Sequence, residues 1–219
     1  MNDGLNYGGN FTIGNAPVLH YLMVDAMKLP HVSSEGGPII LGDFQALRAW
    51  RRTFFHYNSA RRLVRPANPR PVALGGAISL VWDFGGPGTG YIVVVSDTHV
   101  SVVCLWPNAS LTESETETAV VFSAGACLGT EVLAHLTISS GYLLALWAAE
   151  DASEFSPPRG AKGIPEPGLK SRDGGAYVSI PCGRYEITAS EWQTDKFDVT
   201  KLDLFRMGPG TETGGQARE

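Results

Sequence analysis

Twenty-six glycines and 14 prolines cut this chain into stretches too short for long helices. The stretches left between them are rich in valine, isoleucine, leucine and tyrosine. β-Branched and aromatic side chains suit the pleated surface of a strand, while glycine and proline supply turns. Residues 77–82 therefore read as a strand. Three hairpins are expected: 91–96 with 101–106 around Asp97-Thr98, 131–138 with 142–149 around Ser139-Ser140-Gly141, and 176–180 with 184–189 around Pro181-Cys182-Gly183. Residues 142–149 are apolar on both faces, which predicts a central, covered strand. Short strands are also expected at 32–34, 38–41, 119–123 and 201–207, with loops at 111–118 and 151–175. Asp43 is placed to cap a short helix that carries Phe44, Leu47 and Trp50 on one face, with Arg48, Arg51 and Arg52 sharing another. The expected class is α+β, strand-dominated and mostly antiparallel, with one or two short helices in the N-terminal third. One domain is expected over 31–207, between a flexible extension (1–30) and a frayed tail (208–219).

Charge is distributed unevenly along this framework. Residues 71–158 contain no lysine or arginine and carry −9, residues 1–70 carry +4, and residues 159–219 are neutral, giving −5 overall. Seven of the 17 basic side chains fall between Arg48 and Arg70. Such polarity bears on partners more than on fold. Two acidic clusters stand out, Glu113, Glu115 and Glu117 in one segment and Glu150, Asp151 and Glu154 after a strand end. Neither has a basic neighbour in sequence, and carboxylates of this kind can steer a basic partner. Trp50, Phe54, Phe55 and Tyr57 interleave with the arginines, a pattern that can grip single-stranded nucleic acid, although the acidic total argues against a dedicated nucleic-acid domain.

Motifs for chemistry are scarce. Gly85-Gly86-Pro87-Gly88-Thr89-Gly90 lacks the lysine and the following helix of a phosphate loop. The five histidines show no metal-binding spacing, and His135, within an apolar stretch, reads as a core residue. Cys104, Cys127 and Cys182 form no CxxC and read as reduced thiols in a cytoplasmic protein; Cys182, in a turn, is the best placed to act as a nucleophile with a distant histidine. No cofactor or metal is expected, and no run is long enough to cross a bilayer.

Four stretches together resemble a known family. Ser34-Glu35-Gly36-Gly37-Pro38-Ile39-Ile40-Leu41, followed by Leu47 and Trp50, is similar to the opening of the twenty-first named class of immunity proteins from bacterial polymorphic toxin systems. His56-Tyr57-Asn58-Ser59-Ala60-Arg61 sits where that family carries Asp-Tyr-x-Arg-Ala-Cys, so Tyr57 and Ala60 match. Residues 78–83 resemble its strand ending in an acidic residue, and 142–149 with 178–187 resemble its C-terminal half. The resemblance spans about residues 32–206. It implies a protein that neutralises a cognate toxin domain by stoichiometric binding, without catalysis. Joined to the charge pattern, it implies a basic toxin held by Glu113, Glu115, Glu117, Glu150, Asp151 and Glu154. The alternatives are a nucleic-acid-binding accessory protein working through residues 48–70 and a small Cys/His-dependent enzyme.

Overall fold

The computed structural model describes residues 29–51, 53–64, 69–108, 110–126, 131–156, 169–172 and 174–208. The expected extension at 1–30 therefore lies almost wholly outside the described residues, as do Arg52, Cys127 and nearly all of the tail. In chain order the elements are β1 (His31–Ser34), β2 (Ile39–Asp43), α1 (Phe44–Leu47), α2 (Phe54–Leu63), β3 (Arg70–Leu74), β4 (Ala77–Trp82), β5 (Gly88–Ser96), β6 (His99–Pro107), α3 (Glu113–Gly125), β7 (Val132–Ile138), β8 (Tyr142–Trp147), a 3-10 turn (Ala152–Glu154), β9 (Leu169–Arg172), β10 (Gly175–Ser179), β11 (Gly183–Gln193) and β12 (Phe197–Arg206).

The strands form two six-stranded sheets, ordered β1-β5-β6-β12-β11-β7 and β3-β4-β2-β8-β10-β9. Pairings among the described strands are antiparallel. The class is thus α+β and strand-dominated, as expected. Alternate side chains of both sheets meet between them in the main core, which contains Ile39, Leu41, Leu80, Trp82, Leu143 and Ala145 from one sheet and Val102, Tyr185, Ile187, Leu202 and Leu204 from the other. The outer faces are covered too. α1, α2 and the 3-10 turn bury Phe44, Leu47, Trp50, Ala60 and Phe155 against Ile40, Val81, Leu144 and Leu146. On the opposite outer face, α3 buries Ala119, Val120 and Ala124 against Val93, Val103, Leu105 and Val199. The result is four layers, helix, sheet, sheet, helix. β8 lies between β2 and β10 with almost every residue buried, the covered central strand that its composition predicted.

Two of the three expected hairpins are something else. β5 and β6 do pair, around Asp97-Thr98. β7 and β8 belong to different sheets, and so do β10 and β11. Their short connections turn corners between layers, because both partners carry apolar residues that the core between the sheets can bury only from opposite sides. Asp43 holds the first corner. Its carboxylate accepts bonds from the N–H groups of Ser139 and Ser140, each at 2.9 Å, and from both hydroxyls. The same carboxylate caps α1 by accepting from the Gln45 and Ala46 N–H groups. A genuine hairpin joins β3 to β4, where Gly75 and Gly76 have φ of 55° and 83°, the paired positive values of a two-residue I′ turn.

The expected loop at 111–118 and strand at 119–123 are instead one helix, α3, which runs from Glu113 to Gly125 with Thr112 as its N-cap. His135 is half-buried on the edge strand β7 rather than in the core. The arginine face expected on the first helix does not form either, since α1 ends at Leu47 with Arg48 as its C-cap. No helix among the described residues is long and apolar enough to cross a membrane.

Candidate functional site

Glu113, Glu115 and Glu117 occupy the first turns of α3. Thr112 is the N-cap, its hydroxyl accepting from the Glu115 N–H at 3.2 Å while Glu115 accepts from the Thr112 N–H at 2.9 Å and hydroxyl at 2.8 Å. These bonds hold the exposed Glu115 carboxyl below its ordinary value, with a smaller contribution from Lys196. Glu113 and Glu117, one turn apart, face the other way, toward the β1–β5 edge of the sheet. Together with Leu29, His31, Tyr91 and Leu111 they line a cavity of about 310 Å³. His31 and Tyr91 are paired across the β1–β5 ladder, their rings 5.9 Å apart. Burial first, then the charges of Cys104, Glu117 and Glu113, push the Tyr91 phenol above its ordinary value.

The second acidic cluster lies in the opposite outer layer. Asp151 caps the 3-10 turn, accepting from the Ser153 N–H at 2.8 Å and hydroxyl at 2.6 Å, and the Arg51 guanidinium lies 3.8 Å away. Glu150 packs against Gly174, where an added Cβ would stand 2.5 Å from Glu150 Cγ. Glu154 is exposed at the end of the same turn. The Ala152 N–H donates to Trp50 O at 3.2 Å, which ties this segment to the arginine region. The two clusters are therefore separated by both sheets.

The arginine region presents an unusual surface. On α2, Tyr57 donates to Gly36 O at 3.1 Å and His56 stacks on Trp50 at 4.7 Å, both facing inward. Phe54 and Phe55 point out, 87% and 76% exposed, on the helix that also carries the exposed Arg61 and Arg62.

A buried polar network beneath the C-terminus of α3 was not foreseen. The Lys201 ammonium on β12 pairs with Asp203 Oδ2 at 2.9 Å and donates to the carbonyls of Ser123 and Ala126, while its side chain is fully buried. α3 has no basic residue in its last turn, so Lys201 supplies the cation that the negative helix end favours. Asp203 Oδ1 also faces His99 Nε2 at 2.8 Å and accepts from the Ser101 hydroxyl. Burial opposes ionisation of Asp203, but the bonds from His99, Lys201 and Ser101 outweigh it and hold the carboxyl below its ordinary value. Ser101, His99 and Asp203 are not arranged as a hydrolytic triad. A single nitrogen of His99 faces both other groups, so the ring cannot relay between them, and Ser101 is fully buried. A period-two pattern on β6 and β12, with His99, Ser101, Lys201 and Asp203 all on the outer face, was the signal available in sequence.

Of the cysteines, Cys104 is buried and its thiol is pushed up to about 12, which removes it as a nucleophile at neutral pH. Cys182 is exposed at the β10–β11 corner, its Sγ donating to Ser139 O at 3.4 Å. Among the described residues no group of three or more His, Cys, Asp or Glu is placed to hold a metal ion. Comparison with protein-family models, curated proteins and solved structures finds no match.

Proposed function

We propose that this chain is an immunity-type inhibitor that binds a basic toxin domain stoichiometrically in the cytoplasm and occludes its substrate site. The resemblance set out above motivates the class. The observation that carries the mechanism is the position of Glu113 and Glu117 at the start of α3, in the outer layer on the far side of both sheets from α2 and its arginines Arg61 and Arg62. A toxin that cuts nucleic acid is basic where it holds phosphate, and a carboxylate-rich surface competes for that site. Co-expression with the toxin encoded beside this gene tests the reading. Cells survive and the two chains co-elute if it is right; continued killing with no complex on a column refutes it. Charge reversal at Glu113→Lys and Glu117→Lys is expected to slow association, with the loss greatest at low salt.

A second reading draws support from the exposed pair Phe54 and Phe55 beside Arg61 and Arg62. Two exposed rings at the start of a helix that ends in two arginines suit single-stranded nucleic acid. Retention on heparin that falls steeply with salt favours it; passage without retention removes it.

A further inference from the structure

We propose that β7 is a dimerisation edge, on which a second copy of this chain adds its own β7 antiparallel and the two six-stranded sheets become one. Each sheet ends in two edge strands, β1 and β7 in one, β3 and β9 in the other. On an edge, every second residue aims its N–H and C=O away from the sheet. Short length, proline or basic side chains ordinarily keep other strands off. Three of the four edges carry such guards. β1 has four residues, β3 holds Arg70 and Pro71, and β9 has four residues that include Lys170 and Arg172. β7 has seven residues, Val-Leu-Ala-His-Leu-Thr-Ile, with no lysine, arginine, carboxylate or proline. A bulge at Leu133, which faces no residue of β11, disturbs only the start of the strand; residues 134–138 run in unbroken register against 183–187. Among the described residues, β11 is the sole hydrogen-bonding partner of the β7 backbone.

The regular part of this edge is complementary to itself, which identifies its occupant. A two-fold axis at Leu136 sets Ala134 opposite Ile138, His135 opposite Thr137, and Leu136 opposite its own equivalent. Ala134, Leu136 and Ile138 lie on the face that packs into the core, so apolar residues meet apolar residues there. His135 and Thr137 alternate with them and meet on the outer face. Each contact is made twice, as in any isologous pair. No other edge of the chain matches: β1 and β9 are shorter, and Pro71 of β3 has no N–H to give. A basic toxin finds no charge here to recognise. The axis of an antiparallel pair stands perpendicular to the sheet, so the two α3 helices emerge on the same side of the dimer. A strand pair of this length is a small interface, and a dissociation constant in the micromolar range is expected.

The test is sedimentation equilibrium of the full chain from about 1 to 300 µM, a range that brackets micromolar association. Apparent mass is expected to rise from 23.4 kDa toward twice that value and to stop there. Thr137 is exposed on the outer face of β7, beside Arg184 of β11. Thr137→Lys supplies the missing guard and is expected to weaken the dimer at least about tenfold. The same charge at the exposed Thr118 of α3, Thr118→Lys, leaves it unchanged. The urea midpoint of Thr137→Lys at low concentration checks that the variant folds. Hydrogen exchange needs no variant: alternate amides among residues 134–138 of the unaltered chain are expected to slow as its concentration rises. A single 23.4 kDa species throughout, a dimer that the folded Thr137→Lys chain still forms, or growth past two copies overturns the proposal. Protection of these amides that appears only when the toxin is added also overturns it, and gives the edge to a strand of the toxin.

Discussion

Asp43 joins more of this fold than any other single side chain described. It is almost fully buried, caps α1 and anchors the corner between β7 and β8, so one carboxylate ties a helix start to a change of sheet. Asp43→Ala leaves several buried N–H groups without acceptors, and a loss of about 3 kcal/mol is expected in urea unfolding. Asp43→Asn, which keeps one acceptor oxygen, is expected to recover part of it. The Lys201–Asp203 pair behaves differently, because both members are charged. Asp203→Asn strands a buried ammonium and is expected to cost about 3–5 kcal/mol, whereas replacing both residues with apolar ones costs far less. The sign of the pH dependence follows from the depressed Asp203 carboxyl. Its contribution is complete above the ordinary carboxylate value of about 3.9 and disappears as the pH falls through the lower, folded value. Urea midpoints of the native chain and Asp203→Asn should therefore converge in strong acid.

At the scale of elements, strands were far more legible than helices. The apolar runs of β4, β5, β6 and β8 announce themselves by composition, and Asp43 marks the start of α1 correctly. α3 was hidden because Thr112 to Thr118 alternates threonine or serine with glutamate and Val120-Val121 follows, a pattern that also suits a loop running into a strand. Its true signal was local: Thr112 followed three residues later by Glu115 is a capping box. Removing the cap by Thr112→Ala is expected to destabilise by about 1 kcal/mol and to increase amide exchange in the first turn of α3. Because Glu113 and Glu117 sit just beyond that cap, the same change should blur the cavity they line. The two corners were misread as hairpins for another reason. A short Gly-containing turn between apolar runs is compatible with either, and only the need to fill two facing sheets decides. The cavity was half legible: its glutamates stood out by charge, but their meeting with Tyr91 and His31 depends on a pairing of β1 with β5 across nearly 60 residues.

Across the whole molecule, the two outer layers differ in how charge is arranged. The layer around α2 mixes arginines with Asp151, which lies 3.8 Å from Arg51, and exposes Phe54 and Phe55, whereas the other carries the glutamates of α3 and exposes Phe122. The sheet-on-sheet core separates the α3 glutamates from Arg61 and Arg62, so the modest net charge understates the field at that face. Phe54 and Phe55 contribute little to the core, so Phe54→Ser/Phe55→Ser is expected to shift unfolding free energy by no more than about 0.5 kcal/mol. The same variant should bind less of a hydrophobic dye, and a large loss of stability would mean the rings are packed after all.

The place of β12, between β6 and β11, also bears on how the chain is made. A ribosome releases β6 about 100 residues before the strand that completes it, roughly 5 to 20 s earlier at ordinary translation speeds. Throughout that interval the valine-rich edge of β6 has open hydrogen-bonding groups on a nascent chain, a surface that invites pairing with neighbouring polypeptides. Yield in a heterologous host should thus depend on codon speed between β6 and β12 and on chaperone supply, more than on the stability of the finished protein.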